Sequence, residues 1–183
     1  MGQKLSKFLL CKVAGWKTSL NIDFPTKCVF CVAPHTSNWD FVIGELLYSA
    51  VGGKDKVSFL IKKDWFRFPF NLFFNRVGGV PVDRTKKTSL VQQMVAKFNS
   101  SERFTLAVTP EATRKANPNW KKGFYYMAME ANVPIVLVYM DYKNKVAGAD
   151  RIFYPTGDAE KDIQEIKEYY SQFSGKYPNQ FAV

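Results

Sequence analysis

Four short apolar runs govern what this chain can become: residues 28–33 (CVFCVA), 57–61 (VSFLI), 104–108 (FTLAV) and 134–140 (PIVLVYM). Each is too short for a free-standing helix, and each is apolar without alternation. A strand buried on both faces has that pattern, and such strands belong to the centre of a largely parallel sheet covered by helices on either side. The intervening segments supply the helices. Residues 40–50 read as one, and residues 89–98 as another, with Leu90, Met94, Val95 and Phe98 at helical spacing. Residues 123–131 form a third, and residues 158–173 a polar amphipathic fourth that Asp158 opens as N-cap. Residues 77–82 add a short strand, and residues 145–154 a further strand or hairpin. The expected fold is α/β, a single-domain sandwich with a central, mainly parallel or mixed sheet flanked by helices. A chain of 183 residues is long enough to close one such core.

Residues 1–20 stand apart as a short basic amphipathic helix, with Leu5, Phe8, Leu9, Lys12 and Trp16 clustered on one side. Such a helix either packs on its own domain or lies in a membrane interface. Its first six residues also match the N-myristoylation pattern. No run approaches the ~20 apolar residues needed to cross a bilayer, so a soluble or peripheral protein is expected. The net charge of +10, from 26 basic and 16 acidic residues, attracts a polyanion, either nucleic acid or an anionic membrane. No helix-turn-helix, zinc-finger or RNA-recognition signature is present, which argues against nucleic acid. Cys28 and Cys31 form a C-x-x-C inside a strand, where positions three apart face opposite sides. They therefore diverge, and neither a metal nor a redox role is expected of them. Free thiols fit a reducing, cytoplasmic compartment.

The strongest local feature is Pro34-His35-Thr36-Ser37-Asn38-Trp39-Asp40, directly after the first apolar run. Loops at the carboxyl ends of strands are where α/β sheets build their sites. His35 is the only histidine in the chain, so any imidazole chemistry falls to it, and imidazole suits a base near neutral pH. Asp40, five positions on across a turn, can bond the far ring nitrogen, fix the tautomer and stabilise an imidazolium. A surface histidine beside a capping aspartate has the same spacing, so the spacing alone does not decide. Two later segments set cations at strand ends. Arg84 follows Val77-Gly78-Gly79-Val80-Pro81-Val82, and Arg114 falls within Thr109-Pro110-Glu111-Ala112-Thr113-Arg114-Lys115. Arginine offers a rigid fork to phosphate oxygens.

Taken in order, these segments resemble the glycerolipid acyltransferases, the lysophosphatidic acid and glycerol-3-phosphate acyltransferase superfamily. His35 and Asp40 match its H-x4-D motif. Gly78, Pro81 and Arg84 match a second, and Pro110, Glu111, Thr113 and Arg114 part of a third. Val133, Pro134, Ile135 and Val138 match a fourth, so the likeness spans residues 28–140. It departs at Ala112, where the family carries glycine, at Thr109 for phenylalanine and at Leu137 for the second proline. An alanine there must avoid positive φ or accept strain.

The resemblance implies that residues 21–183 are an acyltransferase domain with His35 as general base and Asp40 as its partner. It implies a substrate-binding set of Gly79, Arg84, Glu111, Thr113 and Arg114, with the two arginines on an anion. No cofactor is implied; the acyl group comes from acyl-CoA or acyl-carrier protein as co-substrate. The acceptor is a lysophospholipid-like hydroxyl, and the protein is expected on the cytoplasmic face of the inner membrane, against anionic lipid and without nucleic acid. Residues 65–74, with six aromatics in ten positions, suit a headgroup interface, an acyl tunnel or ordinary core. Two other readings use the same residues: a lipid-binding or transfer module without catalysis, and a hydrolase passing acyl groups to water.

Overall fold

The computed structural model describes residues 2–53, 56–63, 66–68, 70–76, 78–82 and 89–183. Its strands are β1 (Lys17–Leu20), β2 (Lys27–Ala33), β3 (Val57–Lys62), β4 (Gly79–Val82), β5 (Phe104–Val108), β6 (Ile135–Asp141) and β7 (Val146–Phe153). They form one sheet in the order β1-β7-β6-β2-β5-β3-β4. Every neighbouring pair runs parallel except β6–β7, which is antiparallel. The four apolar runs thus become β2, β3, β5 and β6, four of the five inner strands, as their lack of alternation requires.

The helices are α1 (Gln3–Lys7), α2 (Trp39–Ala50), α3 (Phe70–Arg76), α4 (Leu90–Asn99), α5 (Gly123–Glu130) and α6 (Ala159–Tyr170). A π-helical stretch, Phe8–Val13, continues α1. One face of the sheet buries Val29, Cys31 and Leu106 against Phe98 of α4, Phe124 and Met127 of α5, and Ile166 and Tyr170 of α6. The other face buries Cys28, Phe30 and Val136 against Leu10 and against Ile43 and Leu47 of α2. Alternation along β2 sends Cys28 and Cys31 to opposite faces, and neither is in a disulfide.

Helix starts follow local chemistry. Ser89 and Gln92 close a reciprocal capping box at α4, and the Asp158 side chain accepts from Lys161 N–H at α6. The expectation of a helix through residue 20 is corrected. Helical structure ends at Val13, and Lys17–Leu20 is the edge strand β1, paired in parallel with β7. Its sequence, KTSL, is polar because an edge strand faces solvent, so it carries no apolar signal. The helix α3 within the aromatic segment was likewise not expected. Of that segment, Trp65 and Pro69 lie outside the described residues, while Phe66 and Phe74 meet at 5.6 Å between ring centroids.

Candidate active site

Three adjacent parallel strands, β6, β2 and β5, end on the same side of the sheet. Their register decides what meets there. Ala33 of β2 pairs with Tyr139 of β6, and Cys31 pairs with Val108 of β5. Three residues beyond each pairing, the chain delivers Tyr142 from β6 and Glu111 from β5, level with the turn that holds His35. Glu111 is 76 positions from His35 in sequence and Tyr142 is 102 from Asp40; the sheet sets them side by side.

At the centre, His35 Nδ1 lies 3.2 Å from Asp40 Oδ2. The Asp40 carboxylate is almost fully buried, whereas the His35 ring keeps about a quarter of its surface exposed (2% and 24%). The same Oδ2 accepts the backbone N–H groups of Thr36 and Ser37, each at 2.8 Å. Oδ1 accepts the Tyr142 hydroxyl at 2.7 Å. Asp40 also sits in the first turn of α2, where the helix dipole favours a negative charge. A carboxylate with four donors on it is fixed in place, and it holds Nδ1 of the imidazole. Nε2 is the nitrogen left to act on a substrate.

Glu111 stands behind the histidine. Both its oxygens accept the His35 backbone N–H, at 3.0 and 3.1 Å. It is 2% exposed and is not among the residues lining the cavity described below. The structure therefore gives it the histidine's backbone as partner, rather than a place in the cavity wall. Burial pushes its carboxyl up to about 7; the His35 N–H and imidazole pull it back, and Asp40 adds to the rise. Between its ordinary 4.5 and about 7, the folded chain holds a proton that the unfolded chain has released. Stability contributed at this site therefore falls as pH rises through that window and is flat above it. Glu111→Gln should remove that dependence. In urea titrations from pH 4 to 8, the wild-type midpoint should fall relative to the variant's up to pH 7. Parallel curves would contradict the assignment.

The other expected residues are spread out. Arg114 Nη1 donates to Asn38 Oδ1, tying the loop after β5 to the turn after β2, and the arginine is exposed. Thr113 Oγ1 accepts Lys115 N–H at 3.2 Å. Gly79 begins β4 among Ile61, Phe66 and Phe74. An added Cβ would come within 2.7 Å of the flexible tip of Ile61 and 3.1 Å of the Phe74 carbonyl oxygen, so a side chain here requires its neighbours to give way. Arg84 lies outside the described residues. Ala112 takes φ +55°, so the strained alternative is the one realised where the family has glycine.

A cavity of about 560 Å³ opens at this end of the sheet. His35, Asp40, Ala112 and Lys121 stand on it together with an apolar wall that includes Phe30, Val32, Phe41, Leu47, Phe59 and Met140. Gly44 of α2 also lines it, and a Cβ there would meet nothing within 4 Å. The volume lies within the ordinary range for a small-molecule site. Among the described residues no cluster of histidine, cysteine or carboxylate side chains could hold a metal ion. Tyr142 had no signal in the sequence, since nothing local marks a tyrosine 102 positions from its partner. Asn38 and Lys121 were also missed; Asn38 lay within the turn already singled out.

A family model described as Acyltransferase matches residues 20–141. The chain resembles the crystal structure of the 1-acyl-sn-glycerophosphate (LPA) acyltransferase PlsC from Thermotoga maritima. The TM-score is 0.63 at 18% identity, over 93% of this chain and 75% of that one. At that identity the likeness speaks to the fold, a sheet flanked by helices. A search of curated protein sequences returns no significant match.

Proposed function

This chain belongs to the acyltransferase family, and from that premise we propose that it moves a fatty acyl group from an acyl thioester to the hydroxyl of a lysophospholipid or glycerol-phosphate-like acceptor. The observation that carries the reading is the His35–Asp40 pair on the wall of an apolar cavity. His35 Nε2 takes the acceptor's hydroxyl proton as the oxygen attacks the thioester carbonyl. The tetrahedral adduct collapses, the carbon–sulfur bond breaks, and the thiolate leaves with the proton from the imidazolium. Asp40 steadies the ring while it is charged. A thioester is already activated, so no acyl-enzyme is needed, and general-base assistance is worth about 10²–10⁴-fold.

In this reading the apolar wall takes the acyl chain, and Lys121 on the cavity lining and Arg114, bonded to Asn38, serve the acceptor's or donor's anionic groups. Acyl-CoA and acyl-carrier protein both suit the basic surface. Exposed apolar side chains on two neighbouring helices favour a membrane face: Leu5 and Phe8 beside α1, and Trp39, Phe41 and Val42 on α2. The two helices are joined by a Ser6–Ser49 hydroxyl contact of 2.7 Å, and Lys4, Lys7 and Lys12 lie alongside for anionic headgroups. No helix among the described residues is long and apolar enough to cross a membrane.

The cavity's part is tested by filling it. Gly44→Phe places a ring where the wild type has open space, so it should shift the preferred acyl donor to shorter chains. Turnover of the longest chain accepted by wild type should fall roughly tenfold, for the loss of two or so buried methylenes. Competition among saturated acyl thioesters of graded length, read by mass spectrometry of the ester products, measures it. An unchanged length profile would take the cavity out of the reading.

A further inference from the structure

We propose that Tyr142 is a positioning residue for acyl transfer, its hydroxyl fixing the Asp40 carboxylate in the orientation His35 needs; this rests on the acyl-transfer reading above. Asp40 is shared unevenly. Its Oδ2 serves three donors, namely His35 Nδ1 at 3.2 Å and the N–H groups of Thr36 and Ser37 at 2.8 Å. Its Oδ1 is met from the opposite side by Tyr142 at 2.7 Å. A carboxylate can turn about its Cβ–Cγ bond, and one anchored on both oxygens cannot. With Asp40 2% exposed, bulk water is poorly placed to supply the second anchor.

The tyrosine is itself braced. Its backbone N–H donates to Ser174 C=O at 2.8 Å, and its ring stands edge-on to Trp16, with centroids 4.8 Å apart at 86°. The preceding residue, Asp141, accepts the N–H groups of Lys143 and Ser174 and so pins the turn that aims the ring. Burial, followed by the adjacent Asp40 carboxylate, holds the phenol well above its ordinary value, so it remains a donor at any working pH. Tyr142 is absent from the cavity lining, whereas His35 and Asp40 are both on it. Its influence on chemistry therefore passes through Asp40. It also lies one position past the segment matched by the family model, which ends at residue 141.

The test is a double-mutant cycle on the full chain with Tyr142→Phe, Asp40→Asn and the pair. Phe keeps the ring against Trp16 and removes only the hydroxyl. A hydrogen bond to a charged group is worth about tenfold or more, so Tyr142→Phe should lower kcat about tenfold. KM for donor and acceptor should stay unchanged, and Tm should stay within a few degrees. In the Asp40→Asn background the same change should cost less than about twofold, because the anion it serves has gone. The single histidine gives a second readout. The ¹⁵N spectrum of the imidazole should report a predominantly Nδ1–H tautomer in wild type and a more mixed population in Tyr142→Phe. Wild-type kcat in the Phe variant would overturn the assignment. So would an equal loss in both backgrounds, or activity lost only together with the fold. If His35→Ala and Asp40→Asn also turn over normally, the His35–Asp40 mechanism fails, and the part of the acyl-transfer reading that Tyr142 serves fails with it. If they are inactive while Tyr142→Phe is normal, only the role of Tyr142 fails.

Discussion

Replacing His35 by alanine is expected to lower kcat for acyl transfer by about 10²–10⁴-fold, with donor binding left intact. The size follows from what the chain lacks. It holds one imidazole, so no second ring can take over proton removal, and general-base catalysis at such a centre is worth about 10²–10⁴-fold. Binding survives because the apolar wall and Lys121 on the cavity lining are untouched by the truncation. The fold should survive as well, since the ring is partly exposed and its strongest structural tie is the backbone N–H to Glu111, which alanine keeps. Steady-state turnover alongside a direct titration of acyl thioester checks both halves. A variant that turns over normally would remove His35 from the catalysis.

Asp40→Asn should be nearly as severe, at about 10²-fold or more in kcat with little change in KM. The substitution keeps the shape and removes the charge. An asparagine can turn its carbonyl toward Thr36 N–H, Ser37 N–H and the imidazole, and its amide toward the Tyr142 oxygen, which can rotate to accept. The turn can therefore persist. What disappears is the anion that makes a positively charged His35 affordable during the reaction. Initial rates at saturating donor and acceptor, with a melting curve for each protein, separate lost charge from lost structure. A large drop in Tm matched to the loss of rate would assign Asp40 to the turn alone.

The parts of this molecule that a sequence reader could see are those whose physics is local. The inner strands were legible because residues such as Cys28–Ala33 and Ile135–Met140 are apolar on both sides, which only a covered sheet tolerates. His35 and Asp40 were legible because one six-residue segment carries both. The strand β1 was not, since Lys17, Thr18 and Ser19 at a solvent-facing edge carry no period of hydrophobicity. Glu111 was found by its place in a motif, yet its role was read outward, toward the acceptor. Only the register of β2 against β5 turns it inward to the His35 N–H. Tyr142 needed the register of β2 against β6, a fact stored in pairings across the sheet and in no short segment. The positive φ of Ala112 belongs to the same class: the residue type argues against it, and the surrounding loop imposes it.

The most direct measurement follows the fate of the acyl group itself. Purified wild-type protein is given an isotopically labelled acyl thioester, as the CoA or carrier-protein form, with lysophosphatidate or glycerol phosphate, and every labelled product is counted by mass spectrometry. Base-assisted transfer to a hydroxyl predicts an ester that accumulates one-for-one with released thiol, depends on the acceptor and vanishes in His35→Ala. Labelled free fatty acid at the same rate with or without acceptor, or thioester left unconsumed, would contradict it.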